Sequence, residues 1–190
     1  MPLITTRANA SATGYGAFLA AAASTSFESI ATVTVDSSSG ASNIEFTSIP
    51  STYKHLQIRG IVRGTGSISY QILRFNGDTG SNYADHGINA NGSSVTTFYD
   101  VSNNTAGQQD VTATASIFTG IIIDILDYAN TNKYKTLRTL SGYDTNGAGN
   151  LSFRSGLWMN SNAITSIKLE PNTNNYAQYS QLALYGIKGA

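Results

Sequence analysis

The sequence predicts an all-β protein, specifically an antiparallel β-sandwich of the jelly-roll type with an extended N-terminal arm. Three observations lead there. Apolar and polar residues alternate in many short segments after Ser29, clusters of Gly, Asn, Ser and Thr separate those segments, and no stretch leaves room for the crossover helices that parallel strands need. We therefore expect about eight to ten strands. Residues 1–28 form the predicted arm or linker, and residues 29–190 form the predicted sandwich domain.

The first predicted strands show the period of two that places one face of a sheet in a core. The segments Ile30–Val35 and His55–Arg63 both alternate, and Leu56 and Ile58 fall on one side of the second segment. The segment Ile68–Phe75 follows across the sequence GTG, which favours a hairpin turn.

The second half of the chain opens with its most apolar run, Ile117–Tyr128, which is typical of a central strand buried on both faces. Four further predicted strands follow, separated by short turn clusters: Lys133–Tyr143, Asn150–Met159, Ala163–Glu170 and Gln178–Ile187. Between the two halves, 82–109 is the predicted long loop, interrupted by a short strand near Val95–Tyr99.

Composition excludes several functions. Only 12% of residues are charged, and the 11 basic residues balance the 11 acidic ones, whereas a nucleic-acid-binding protein needs a basic surface. The chain has no cysteine, which excludes disulfides, thiolate metal sites and a cysteine nucleophile. No apolar run approaches the length of a membrane span. We expect no cofactor, no nucleic acid and no membrane among the ligands and partners.

The N-terminal residues differ from the rest because they are rich in Ala, Thr and Ser and lack a sustained period. Arg7 followed by Gly16–Ser24 is similar to a secretory signal peptide. We interpret this segment as a retained arm rather than as a processed signal.

The segment Leu73–His86, LRFNGDTGSNYADH, is the first candidate for a chemical site. Its polar and glycine residues fall at alternate positions, as at the start of a calcium loop: Asn76, Asp78, Gly80 and Asn82. An EF-hand loop would also need glycine at its sixth position and glutamate at its twelfth, but Ser81 and Gly87 stand there. We predict a turn in which Asn and Gly accept positive φ and Asp caps backbone donors.

Other titratable residues also favour structural roles. His55 and His86 are the only histidines, and His55 begins an alternating strand. An acid–imidazole pair of His86 with Asp85 remains an alternative. Asp124 and Asp127 lie three apart on one predicted strand and so face opposite sides. We expect Asp127 to begin a turn and Asp124 to pair with an arginine or with hydroxyl groups of a neighbouring strand. No catalytic or metal-binding residue is assigned, and we expect a protein that is not an enzyme.

Aromatic residues leave one further option. The chain has 11 tyrosines, seven phenylalanines and one tryptophan, Trp158, which we expect to fill the core or an interface. Tyrosine rings near loops can stack on sugars. The candidates for glycan contact are Tyr83, Tyr99 and Tyr143.

Several landmarks together resemble a family of small virion structural proteins of tailed bacteriophages, which includes tail-fibre, head-fibre and decoration modules. The resemblance covers roughly Ile44–Ile187. Its landmarks are Ile44–Arg59, Leu73–His86, Asp127–Thr136 and the ending Trp158–Ile187.

The resemblance implies a β-sandwich module that is often a homotrimer and has no catalytic role. Because no shaft repeat or coiled coil is present, it favours a capsid decoration (cement) protein on the outer surface of the virion. The expected partners are the major capsid protein or other virion proteins. The predicted docking arm contains Leu3, Ile4, Arg7, Tyr15 and Phe18. The alternative is a tail- or head-fibre module that recognises host surface polysaccharide.

Overall fold

The computed structural model describes residues 26–66 and 70–189, and within them the chain forms twelve β-strands and no helix. The prediction of an all-β fold is confirmed, with more strands than the eight to ten expected. No helix in this part of the chain could cross a membrane. The strands are β1 (Phe27–Thr34), β2 (Ile44–Phe46), β3 (His55–Val62), β4 (Tyr70–Phe75), β5 (Tyr83–Ala90), β6 (Val95–Asn103), β7 (Ala106–Asp110), β8 (Thr119–Leu126), β9 (Lys135–Asp144), β10 (Gly149–Trp158), β11 (Ile167–Pro171) and β12 (Gln181–Ile187).

Eight of these strands build an antiparallel jelly roll. One layer has the order β1-β12-β3-β8, and the facing four-stranded sheet has the order β2-β11-β4-β7. The connections β1 to β2, β3 to β4, β7 to β8 and β11 to β12 each pass from one layer to the other. This pairing of strands across two sheets is that of a jelly roll, so the predicted topology is confirmed from the strand order itself.

The other four strands extend the larger sheet past β8 in the order β9-β10-β5-β6, and we call this extension the wing. The hairpin of β5 and β6 is inserted between β4 and β7, and the hairpin of β9 and β10 is inserted between β8 and β11. Strand β7 packs against the inner face of the wing at β9 and β10. The larger sheet therefore has eight strands and a wide outer face.

The hydrophobic core lies between the layers and follows the predicted alternation. In β3, Leu56, Ile58 and Val62 are fully buried. In β8, Ile121 and Ile123 face the same core. The facing sheet supplies buried residues from all its strands, among them Ile44, Phe46, Leu73, Phe75, Ala106, Ile167 and Leu169.

Three sequence expectations about the elements are wrong. The predicted long loop 82–109 holds strands β5 and β6 and most of β7, although the short strand predicted within it near Val95–Tyr99 is confirmed as the first part of β6. The predicted hairpin across GTG does not form, because β3 pairs with β8 and β12 while β4 pairs with β7 and β11. Strand β8 is buried on one face only, since its other face includes exposed Gly120 and half-buried Ile122. Strand β1 begins at Phe27, two residues before the predicted start of the sandwich domain at Ser29.

Candidate interaction surface

The outer face of the eight-stranded sheet carries a straight row of apolar side chains. Strand register places Ile122 of β8 opposite Leu140 of β9, Leu140 opposite Phe153 of β10, and Phe153 opposite Ile88 of β5. Directly opposed residues in antiparallel strands have Cβ atoms about 5 Å apart, so these side chains touch or nearly touch. Leu140, Phe153 and Ile88 are 39%, 45% and 48% exposed, although a sandwich normally turns such residues inward. We call the four residues Ile122, Leu140, Phe153 and Ile88 the apolar row.

A shallow hollow lies beside the apolar row, two residues along each strand. There Gly120 and Gly142 stand opposite each other, and the register continues to Ile61 on one side and Leu151 on the other. Because the two glycines carry no side chains, they leave a space of about 380 Å³. Ile61 and Leu151 are also exposed, so the hollow enlarges the apolar surface.

A polar row borders the apolar row on its other side. The register places in it, in order, Gln57, Asp124, Arg138, Ser155, His86 and Tyr99. The amide Nε2 of Gln57 donates a hydrogen bond of 2.6 Å to Oδ1 of Asp124, and the rings of His86 and Tyr99 stack with centroids 5.8 Å apart. This row offers both a flat aromatic pair and hydrogen-bonding groups to a ligand.

The inner face of the wing has the opposite character, since it buries polar groups. Arg154 is 5% exposed and Asp85 is 2% exposed, with 3.6 Å between Nη1 of Arg154 and Oδ2 of Asp85. The guanidinium of Arg154 lies 3.5 Å from the ring centroid of Phe98, a cation–π contact. Burial raises the pKa of Asp85, while Arg154 and the backbone N–H of Gly107 oppose that rise.

The wing therefore inverts the usual pattern of a sandwich sheet. In β10, Ser152 and Arg154 point inward and are buried, while Leu151 and Phe153 point outward. Sequence reasoning missed this inversion because alternation alone does not say which face of a strand meets the core. One signal was available in the sequence of β10. Charged Arg154 alternates with apolar Leu151 and Phe153, and the side of the strand that carries Arg154 has no apolar side chain before Trp158.

The tyrosines predicted as glycan contacts are not brought together. Tyr83 is fully buried, so it is removed from the surface candidates. Its hydroxyl accepts a hydrogen bond of 3.0 Å from the backbone N–H of Phe75, and burial raises its pKa to about 12. Tyr99 is 68% exposed on the outer face, whereas half-buried Tyr143 has the strand parity of the inner face. The predicted docking residues Leu3, Ile4, Arg7, Tyr15 and Phe18 lie outside the described residues.

The segment Leu73–His86 forms the predicted turn. Asn76 and Gly77 have φ of 51° and 68°, and the carboxylate of Asp78 accepts the backbone N–H of Gly80 at 2.8 Å. Asp78 also accepts a 2.8 Å hydrogen bond from the indole N–H of Trp158, a long-range contact that no local pattern could predict. The structure thus uses this carboxylate to hold two distant segments together.

The remaining titratable candidates have structural partners. The Nδ1 of His55 accepts a 2.9 Å hydrogen bond from the backbone N–H of Asp127. Asp127 begins a turn with φ of 48°, as predicted, and pairs with Lys54 and Lys133. His86 and Asp85 point to opposite faces of β5, so the alternative of an acid–imidazole pair is excluded. Within the described ranges, no cluster of three or more His, Asp or Glu side chains is placed to hold a metal ion.

Comparisons with known proteins give little to set beside this geometry. No family model and no curated protein sequence matches the chain. Among solved structures, the crystal structure of galectin LEC-6 from Caenorhabditis elegans aligns at 10% identity over 80% of this chain and 94% of that chain, with a TM-score of 0.36. An alignment at that TM-score decides neither fold nor function, and the jelly roll assigned to this chain rests on its own strand order.

Proposed function

We propose that the protein is a non-enzymatic structural component of a tailed-bacteriophage virion that decorates the outer particle surface. The sequence resemblance to virion structural proteins supplies the biological setting. The observation that carries the proposal is the inverted wing, which buries Arg154 and Asp85 and presents Leu140, Phe153 and Ile88 to the outside. Contiguous exposed apolar side chains rimmed by polar groups are typical of surfaces that bind another protein.

In this proposal the apolar row lies against the major capsid protein or another virion protein. The surface carries few charges: Arg138 and Asp124 stand opposite each other in the adjoining polar row, and exposed Arg59 stands opposite Ile122 at the β3 end of the apolar row. Neutral, apolar contacts suit a protein that must bind many equivalent sites at once, since each contact can be weak when its copy number is high. The N-terminal arm supplies a second attachment through Leu3, Ile4 and Phe18.

Binding to particles produced without this protein tests the proposal. Phe153 is 45% exposed, which for a phenylalanine is about 100 Å² of apolar surface and about 2.5 kcal/mol at 25 cal/mol per Å². Phe153→Lys should therefore weaken co-sedimentation with the particles at least about tenfold. The matched control is Thr136→Lys, which adds the same charge to an exposed position of the outer face away from the apolar row.

Both variants should keep the thermal midpoint of the wild-type protein to within a few degrees. A folded Phe153→Lys variant that decorates particles at wild-type occupancy would remove the apolar row as the binding surface. Deletion of residues 1–25, which leaves β1 intact, separately tests the arm.

A second candidate function is recognition of host polysaccharide by a head- or tail-fibre module. The stacked pair of His86 and exposed Tyr99 favours it, because an aromatic face beside the polar groups of Ser155 and Arg138 suits a sugar ring. A glycan array should then show specific binding that Tyr99→Ala abolishes. Tyr134→Ala is the matched control, since Tyr134 is also exposed but lies outside the strands.

A further inference from the structure

Strand β6 forms an open edge of the eight-stranded sheet. The strand order ends with β5-β6, and none of the described residues pairs with the far side of β6. An open edge presents unpaired N–H and C=O groups that can pair with another strand.

The other sheet edges are short or irregular. At the edges of the four-stranded sheet, β2 has only three residues and β7 has five. The opposite edge of the large sheet, β1, has its register broken by a bulge between Ser29 and Ala31. These are the usual means by which natural proteins prevent edge-to-edge pairing.

Strand β6 lacks such protection over most of its length. From Val95 to Asp100 its sequence is VTTFYD, which holds no lysine, arginine or proline, and the irregularity comes only after Asp100, at Ser102 with φ of 52°. Val95 and Tyr99 are 67% and 68% exposed. This segment combines high β-propensity with exposed apolar side chains, and it is the part of the sheet best suited to accept a further strand.

We propose that β6 pairs with β6 of a second copy of this chain, antiparallel and about a two-fold axis at Thr97. An isologous contact of this kind places Thr97 opposite Thr97 of the second copy. Val95 then lies opposite Tyr99 of the second copy, and Thr96 lies opposite Phe98 of the second copy. One pair is therefore Thr–Thr, and each of the others joins a β-branched residue to an aromatic one. Cross-strand pairs of both kinds stabilise antiparallel sheets.

The register on the near side of β6 supports this axis. Thr97 stands opposite Ile88, the last member of the apolar row. A two-fold axis at Thr97 therefore places the apolar rows of the two copies in line, with only the two Thr97 residues between them, in one sheet of sixteen strands. The pairing opposes no like charges, because the only charged residue of the segment, Asp100, lies outside the five paired positions. A net charge of zero also removes overall repulsion between copies.

The first experiment is sedimentation of the full-length protein over a range of about 5 to 500 μM, which covers the micromolar dissociation constants expected of a small interface. We expect a concentration-dependent shift from a 20.1 kDa monomer to a dimer. Thr97→Lys places two ammonium groups opposite each other and should raise the dissociation constant at least about tenfold. Thr32→Lys, an exposed threonine on the other edge strand β1, should not.

The second experiment tests the register. Because the chain has no cysteine, Thr97→Cys introduces a single thiol, and opposed antiparallel residues have Cα atoms about 4.5 to 5.5 Å apart, within the range of a disulfide. Thr97→Cys should give a covalent dimer on mild oxidation. Tyr99→Cys should not, because in this register its two copies are four residues out of alignment.

A monomer throughout the concentration range would overturn the proposal, and so would a dimer that Thr97→Lys leaves intact. A trimer, which the family resemblance implies, would also overturn it. Cross-linking of Tyr99→Cys but not of Thr97→Cys would reject the axis at Thr97. None of these results depends on binding to a virion, so the proposed function can fail or hold independently.

Discussion

Replacing Lys135 by methionine tests the clearest energetic feature of the fold. Lys135 is fully buried at the start of β9, and its ammonium donates to three backbone carbonyls at 3.0 Å or less, those of Asn130, Lys133 and Ser161. The carbonyl of Asn160 lies at 3.5 Å. The ammonium thus joins the turn before β9 to the segment that follows β10. Burial lowers the pKa of Lys135, which is the expected effect of removing an ammonium from water.

The magnitude follows from opposing contributions. A hydrogen bond from a charged donor contributes about 1.5 to 3 kcal/mol, and three short ones outweigh the several kcal/mol that it costs to desolvate an ammonium. Lys135→Met keeps an unbranched side chain as far as Cε but removes the ammonium, so the carbonyls lose their donor. We expect the free energy of unfolding to fall by about 3 kcal/mol, which lowers the thermal midpoint of a domain of this size by about 6 to 12 °C. Differential scanning calorimetry at pH 7 measures it directly.

The neighbouring lysine supplies the control. Lys133 is largely exposed and contacts Asp127 at the surface, so Lys133→Met should cost at most about 1 kcal/mol. If Lys135→Met lowers the thermal midpoint no more than Lys133→Met does, the ammonium does not hold the two segments together and the reasoning is refuted.

Two further predictions concern the wing and acid stability. Gly87→Ala should lower the free energy of unfolding by about 1 to 3 kcal/mol, because its Cβ would lie 2.3 Å from the ring of Phe98 and 2.7 Å from the side chain of Arg154. Urea unfolding measures this loss. The control is Gly120→Ala, whose Cβ would meet only one atom within 4 Å. The two lysines that contact Asp127 lower its pKa to about 2, so its ion pairs stabilise the fold above about pH 4 and are lost as the pH falls toward 2. Asp127→Asn should therefore lower the thermal midpoint at pH 7, and the difference from wild type should vanish near pH 2; an unchanged difference would contradict the assignment.

The sequence predicted the jelly roll well because its core strands obey simple alternation. Leu56 and Ile58 on β3 are buried as their pattern predicts, since the jelly-roll strands each have one face toward the core. The connections that carry the chain from one sheet to the other were not predictable from alternation. The segment after β3 has the composition of a hairpin turn, yet it carries the chain into the other sheet, because strand partners are chosen by burial over the whole domain.

The wing was the least predictable part for a related physical reason. Its strands β5 and β6 lie in a segment rich in Gly, Asn, Ser and Thr, which has the composition of a loop. Strand β5 gains stability from pairing with β10, and β6 gains it from pairing with β5 and from the contact of Phe98 with buried Arg154, none of which has a local signature. The candidate surface was missed with them, since the apolar row exists only once Leu140, Phe153 and Ile88 are aligned by register.

Three of the four landmarks behind the family resemblance meet at one place in the fold, and that place is internal. Trp158 stands opposite Lys135 on one neighbouring strand and opposite Tyr83 on the other, and it donates to Asp78. Asp78 and Tyr83 belong to the landmark Leu73–His86, Lys135 belongs to Asp127–Thr136, and Trp158 begins the ending Trp158–Ile187. Phe75 completes the cluster, with its ring centroid 5.4 Å from that of Trp158. Because all of this packing joins the wing to the jelly roll, the landmarks specify how the chain folds. The outer face lies apart from this cluster, so its residues can vary without disturbing the landmarks, and a shared set of landmarks predicts a shared fold.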